Sequence, residues 1–555
     1  MSVNMEDVRL VGAAPLVRAM CEAIGLREII DRHVDWDSMR CKLSPGQRVT
    51  ALILNILTSR QPLYRVWESF EDTDCELLLG EGVIYEDLND DALGRALDKL
   101  QEAEARKIFS MVAANALIRE AVDTRFLHWD STSRSLYGEY PEAQSATGAK
   151  PARGHSKDHR PDLKQIVLTL LVNREGIPLY GEVRDGNSSD KKANREMVEE
   201  LCRMFSPEQL RQLVYVADSA LVTGSNLQLM REIDLRFLSR LPENFSACRE
   251  AKAAAWAGEW TALGKLSSRR GAAEYFASEQ QGIIEDQEYR LVVYRSSHLD
   301  RRRAKTLERE LIGQRQELER DAAALAKRSF SCADDARAAA EVWKKEHQDG
   351  FHPVTVDVAE VAERQKQGHR GRPRKGEEPS WRTAYHLVAQ VGNPDEDQVK
   401  QELERRSTFV LITPLSSAEF PADRLLREYK DQTYVEKRFQ FLKDPVFVDA
   451  FFLHRPERIE ALGYVLLMAC LVFSLLERRV RNSGRPLISP SRGKLDRPTG
   501  MEILRHIKSA MVGPVGPGQR MVTVSPSFRE SFRAILSMAG FDETVYTRVP
   551  VRRSG

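Results

Sequence analysis

Gln212-Leu-Val-Tyr-Val-Ala-Asp218 is a short apolar run that stops on a carboxylate. A run of this length, rich in β-branched and aromatic residues, predicts a buried strand. Arg125-Phe-Leu-His-Trp-Asp130 has the same form, with Ser131-Thr132-Ser133 closing it as turn-forming hydroxyls. Between the two, Gln165-Ile-Val-Leu-Thr-Leu-Leu-Val172 and Pro178-Leu-Tyr-Gly-Glu-Val183 predict a hairpin across Asn173 to Ile177. A loop at Gly186 to Asp190 leads into a helix from about Ala193 to Phe205. Beyond Asp218 follow a helix near Ser225 to Arg231 and a strand from Leu235 to Ser239. The order is three strands, helix, strand, helix, strand, a mixed α/β (α+β) pattern. Its two aspartates end strands that can lie side by side.

A third carboxylate comes from Glu428-Tyr-Lys-Asp-Gln-Thr-Tyr-Val-Glu436-Lys-Arg-Phe-Gln-Phe-Leu-Lys443. On one continuous helix Tyr429, Glu436 and Lys443 recur every second turn and share a face, beside an apolar stripe of Val435, Phe439 and Leu442. Alone this is an ordinary amphipathic helix. Two strand-end carboxylates plus one from a packed helix, however, supply hard oxygens for magnesium or manganese, and two such ions can flank a scissile phosphate. Asp130, Asp218 and Glu436 are therefore the candidate metal ligands and catalytic residues.

With these acids in place the chain resembles bacterial insertion-sequence transposases of the DDE type. The resemblance covers about 120 to 480. It is narrowest to the superfamily whose third acid lies in a Tyr-x-x-Arg-x-x-x-Glu-x-x-x-x-x-x-Lys signature, read here as Tyr429, Gln432, Glu436 and Lys443. The spacing matches in full, and glutamine stands where arginine is the rule. Trp129-Asp130-Ser131-Thr132, Gly154-His-Ser-Lys157 with Arg160-Pro-Asp-Leu-Lys164-Gln165, and Ala217-Asp218-Ser219-Ala220 match further pieces. The resemblance implies a ribonuclease-H-like catalytic core that cuts DNA at transposon ends and joins the freed 3′-hydroxyl to target DNA. It also implies a homodimer in the DNA complex, with Tyr429, Gln432 and Lys443 on the DNA backbone. A DNA-binding derivative without catalysis, and a nuclease without strand transfer, are the alternatives.

The flanking sequence divides to suit. Residues 1–120 read as a helical domain for DNA binding or dimerisation, with Ser44-Pro45 and Asn89 as helix starts. Residues 121–240 and 406–480 form the two parts of the core, interrupted by an insertion at 241–405. The insertion carries strand-like Tyr289 to Tyr294 and an alanine-rich helical stretch from about Asp300 to His347, with a break near Ser329 to Asp335. In relatives the insertion holds a flipped base, for which Trp256, Trp260 and Trp381 are candidates, with packing the commoner role. Its segment Gly368-His-Arg-Gly-Arg-Pro-Arg-Lys375 is similar to an AT-hook through Arg370 and Arg372, and reads equally as a basic linker. Lys157, Arg160 and Lys164 form a cationic loop that either lies in solvent or contacts phosphates beside Asp130.

The whole chain of 555 residues carries a net charge of only +1, yet from Arg478 onward it holds 15 Lys/Arg against 5 Asp/Glu. That basic region, 481–555, reads as loops and an irregular linker that meet DNA or a second subunit. Seven cysteines without metal-ligand spacing argue for a reducing cytoplasm, where the protein would be nucleoid-associated on DNA, and against disulfides and zinc. No signal peptide is apparent. The apolar run Leu462 to Leu476 is too short to span a bilayer and reads as a buried core helix, so no membrane partner is expected.

Overall fold

The computed structural model describes residues 7–136, 140, 148–154, 160–266, 271–364, 380–431, 433–443, 455–489 and 493–550, without the side chains of 299, 300, 433, 434 and 443. Lys157, Arg370, Arg372 and Gln432 lie outside the described residues, as does the side chain of Lys443. The chain divides into two compact units, one of residues 1–239, 413–415 and 424–555, the other of 240–412 and 416–423.

In the first unit, helices α1 (Pro45–Leu54), α2 (Asp90–Glu102) and α3 (Ala105–Arg119) precede the sheet. Ser44 and Gln47 make a reciprocal capping box on α1, and the Asn89 side chain accepts from Ala92 N on α2. The strands are β1 (Phe126–Leu136), β2 (Lys164–Asn173), β3 (Pro178–Asp185), β4 (Val214–Ala217) and β5 (Arg236–Arg240). Their order is β3-β2-β1-β4-β5. The β3-β2-β1 ladders are antiparallel, and the β1-β4 and β4-β5 ladders are parallel. Helix α4 (Asp190–Met204) connects β3 towards β4. The expected strand at Gln212 starts two residues later, because Ser206 and Gln209 box a short helix over Pro207–Gln212.

After the second unit the chain returns through α5 (Ala422–Lys430), α6 (Thr433–Lys443) and α7 (Pro456–Asn482). Helix α7 starts with proline and Glu457 and ends with Arg479 and Arg481, each suited to its end of the helix dipole. It packs against α2, α3 and β3, and its apolar residues share one core with those of α1, α2, α3, β2 and the C-terminal region. It is longer than the apolar run predicted, and long and apolar enough to cross a membrane, but 94% of its apolar window is buried inside the molecule.

Three expectations need correction. Strand β1 does not stop at Asp130: it runs six residues on, because Lys164 to Thr169 of β2 pair with Ser131 to Leu136. Tyr429 and Glu436 do not share one helix, since α5 ends at Lys430 and α6 begins at Thr433. Asp431, the described residue after α5, lies in a turn, and aspartate favours turns over helix interiors. Finally, Gly513 to Gly518 is largely strand rather than linker. Met511–Gly516 pairs with Gln519–Thr523, and among the described residues only Met511 and Val512 of it are also paired with Arg9–Leu10. Pro514 therefore sits where one edge is open, the place a residue without an N–H is tolerated.

The second unit has a sheet of Thr408–Thr413, Gln287–Ser296, Glu274–Ile284 and Thr261–Lys265 in that order. A long hairpin of Val354–Arg364 and Trp381–Val391 is covered by helices Ser297–Ala326 and Ala333–His347. Those helices turn back at the break read from the sequence and bury Leu318, Leu325, Trp343 and Leu387 together.

Candidate active site

The β1-β4 ladder pairs Phe126, Leu127 and His128 with Val214, Tyr215 and Val216. The same register, continued two residues, sets Asp130 beside Asp218, with neighbouring strands about 4.8 Å apart. Asp218 lies just past the carboxyl end of β4, where loops rather than a further ladder continue the chain, the usual place for ligands of an α/β sheet. Each carboxylate is oriented locally. Asp130 Oδ1 accepts from Ser131 N at 2.7 Å, and Asp218 Oδ1 accepts from Ala220 N at 3.0 Å. Asp218 O also accepts from the Ser239 hydroxyl of β5 at 2.7 Å. Both acids are half-buried. Burial first, then the charges of Asp218 and Asp130, drive the buried Tyr215 phenol far above its ordinary pKa, so both carboxylates bear on that one side chain.

Side-chain alternation puts His128, Asp130 and Thr132 on one face of β1. Opposite them across the ladder stand Val172, Leu170 and Leu168, which share a core with Val435, Phe439 and Leu442 of α6. The apolar stripe read from the sequence thus holds α6 over the face that carries Asp130. Helix α6 packs against β1 and β2, with Glu436 exposed in its first turn. The other face of the sheet meets α4. There Ser131 Oγ donates to Asp190 Oδ1 at 2.5 Å, and the Tyr215 hydroxyl donates to Asn194 at 3.3 Å.

The structure brings two of the three acids into register and does not gather the third with them. Among the described residues no three His, Cys, Asp or Glu side chains form a group that could hold a metal ion. The aspartate pair fits a divalent cation by chemistry, as hard oxygens from adjacent strands. Of the expected DNA contacts, Tyr429 is half-buried on α5. Arg160 is exposed and forms a two-pronged pair with Asp162, at 2.9 and 2.7 Å. The Lys164 ammonium donates to Tyr140 O. In the second unit Trp256 and Trp260 pack edge to face at 5.3 Å, with Arg295 over Trp256, whereas Trp381 is 62% exposed.

Sequence reasoning missed the groups that hold this region together. Arg438 is buried on α6, where its Nε donates to Gly176 O of the β2-β3 turn at 2.8 Å and its guanidinium meets Glu477 of α7 at 2.9 Å. Its position on the apolar stripe of α6, between Val435 and Leu442, was the available signal. His128 is fully buried, and among the described residues neither ring nitrogen has a hydrogen-bond partner. Burial, then the Arg174 charge, pushes its pKa down to about 3, so it is neutral at ordinary pH. Glu428 is buried 3.5 Å from Arg174, and burial raises its pKa against the pull of that arginine. At the α5-α6 break Arg174, Arg478, Arg481 and Arg497 line a cavity of about 340 Å³ with Asp431, Glu175 and Glu477.

Comparison with known proteins adds little chemistry. The family described as "Domain of unknown function (DUF4277)" matches residues 6–114, the N-terminal helices. None of the curated proteins compared matches the chain. Among solved structures, the cryo-EM structure of a piggyBac transposase synaptic complex with hairpin DNA is similar at 10% identity, over 88% of this chain and 79% of that chain, with a TM-score of 0.39. A likeness at that level carries no statement about the chemistry of this chain.

The Ser131 hydroxyl gives a first prediction. Ser131→Ala leaves the Ser131 N to Asp130 bond intact and removes the hydroxyl that ties β1 to α4, so stability should fall by about 1 kcal/mol. Thermal denaturation checks it. A loss too small to measure would mean that Asp190 is satisfied by its other neighbours.

Proposed function

We propose that this protein is a DDE transposase of the ribonuclease-H-like kind, which cuts DNA at the ends of its element and joins them to target DNA. One observation carries the reading: β1 and β4 are parallel neighbours whose ladder, paired as far as His128 and Val216, leads two residues on to Asp130 in β1 and to Asp218 just past the carboxyl end of β4. The sheet order, three antiparallel strands followed by two parallel ones, supports the fold that the resemblance implies. So does the return of the chain through α6, whose apolar stripe rests on the face carrying Asp130.

In this mechanism Asp130 and Asp218 would hold divalent ions, and Glu436 would be the third ligand. Bound magnesium or manganese would activate the attacking oxygen and stabilise the leaving one. The backbone N–H groups of Ser131 and Ala220 keep the aspartate oxygens aimed. Tyr429, Gln432 and Lys443 position the backbone of the DNA end, and two protomers act together. The arginines at the α5-α6 break add positive charge beside that path.

The test is a magnesium-dependent nicking and joining assay on DNA carrying the inverted repeats that flank the gene. Nicked and joined products support the reading. Nicks without joined products favour a nuclease, and tight binding without nicks favours a DNA-binding derivative. A further prediction concerns Arg370 and Arg372, which lie outside the described residues. Replacing both by alanine should abolish a preference for A/T-rich duplexes and lower the salt slope of binding by about 0.9 for each phosphate that is no longer neutralised. Equal weakening on A/T and G/C duplexes would show a basic linker instead.

A further inference from the structure

The N-terminal helices and the C-terminal region enclose a cavity of about 510 Å³, a size common among small-molecule sites. Its floor is apolar: Leu54, Leu57, Phe70, Leu78 and Leu504 line it and are all buried. Its rim is cationic, with Arg60, Arg505 and Lys508 against the single acid Asp72. Arg505 and Lys508 are exposed, and among the described residues neither has an ion-pair partner. Of the wall hydroxyls, Thr58, Ser69 and Thr73 donate their protons to Leu54 O, Val66 O and Phe70 O, which leaves Ser59 Oγ, 3.3 Å from Thr58 Oγ1, as the donor of that pair. Polar selection at the mouth therefore rests on the cations.

The wall that presents Arg60 is built in an unusual way. Asn55–Ser59 is a π-helical turn, and Arg60 after it has φ of 62°, the left-handed region that non-glycine residues rarely adopt. The turn is held by Arg60 N donating to Asn55 O at 2.6 Å, and by the Asn55 side chain, which donates to Gln61 O at 2.7 Å and accepts from Gln61 N at 3.0 Å. Strain of this kind persists only where surrounding contacts over-determine it, and it gathers at binding sites. The Arg60 guanidinium reaches Met501 Sδ, at 3.0 Å, on the opposite wall.

We propose that this cavity binds a small amphipathic organic anion, with its apolar body on the leucine floor and its charged head at Arg60, Arg505 and Lys508. Asp72 at the rim disfavours a second negative group, so a monoanion is preferred. The site is independent of the aspartate pair and of the DNA reading. A bound ligand would bridge residues 54–78 to 501–508 and tie the C-terminal region to the N-terminal helices.

The experiment is calorimetric titration of the full chain with decanoate, decan-1-ol and acetate, each below the concentration at which it self-associates. Decanoate should saturate at one per chain, and the alcohol and acetate, which each lack half of the pharmacophore, should bind about tenfold more weakly or worse. Arg505→Glu with Lys508→Glu, both at exposed positions, should weaken decanoate about tenfold and leave decan-1-ol unchanged. Thr58→Trp, also exposed, should block both by filling the mouth. Circular dichroism melting confirms that each variant is folded. Absence of saturable decanoate binding, decan-1-ol binding as tightly as decanoate, or indifference to the charge reversal would each overturn the proposal.

Discussion

Asp218→Asn is expected to abolish DNA cleavage while leaving the fold in place. Asn keeps a side-chain oxygen, so the bond from Ala220 N survives, and the two residues serve about equally well as caps. What is lost is the negative charge that would hold a cation. Metal assistance contributes several kcal/mol to the transition state, and each 1.36 kcal/mol is a factor of ten in rate, so a fall of about a thousandfold or more is expected. Asp130→Asn should behave alike, since Ser131 N still finds an acceptor. Single-turnover cleavage with magnesium, beside anisotropy with the same DNA end, separates chemistry from binding. Robust cleavage by either variant would remove that residue from the metal site. Glu436→Gln is the sharper test of the third ligand: Glu436 is exposed, so the substitution should leave Tm alone and still remove cleavage.

Arg438→Ala is expected to destabilise the protein by about 3–5 kcal/mol, because it leaves Glu477 buried without its main counter-charge. Burial pushes the Glu477 pKa up, but Arg438, Arg481 and the N–H of Gly500 outweigh it and hold the carboxyl below its usual range. The sign follows: Glu477 contributes stability above the unfolded carboxylate range, and that contribution is lost as pH falls through its lowered folded value. Arg438→Ala should therefore flatten the acid limb of stability against pH. Replacing the pair together, Arg438→Met with Glu477→Leu, should recover most of the loss, since a well-packed apolar pair is often as stable as a buried ion pair. Urea denaturation of the three variants at neutral and mildly acid pH checks both statements. A double variant as unstable as Arg438→Ala would shift the weight to the Arg438 bond with Gly176 O.

Much of the sheet is legible in the sequence because its strands are continuous apolar runs bounded by turn residues, as at Val214 to Ala217. The extent of β1 is not. Ser131 to Ser133 reads as turn chemistry in isolation and becomes strand only because β2 offers a long partner, a tertiary fact with no local signature. The stripe Val435, Phe439, Leu442 is legible, since period alone sets which side of α6 is buried. The break before it is hidden because helical spacing continues in the sequence past Lys430, where α5 ends. As for the site, aspartates ending apolar runs are visible in a sequence, and their register follows once the strands are adjacent. Arg438, Glu477 and the Arg174-Glu428 pair are distant in sequence, so only the fold reveals that each answers another.

The placement of α7 has a consequence for how the chain is made. Its apolar residues fill the centre of a core whose walls include helices from the first 120 residues and strand β2, which leave the ribosome several hundred residues earlier, and the C-terminal region, which follows it. Until Pro456–Asn482 is synthesised, Leu93, Val112 and Leu168 have no complete surroundings, and the sheet has an uncovered greasy face. Contacts of such long sequence separation form late and slowly, and leave a window for chaperones and proteases. A nascent or prematurely terminated chain that stops before residue 456 should consequently be a substrate for cellular quality control rather than a source of free N-terminal fragment.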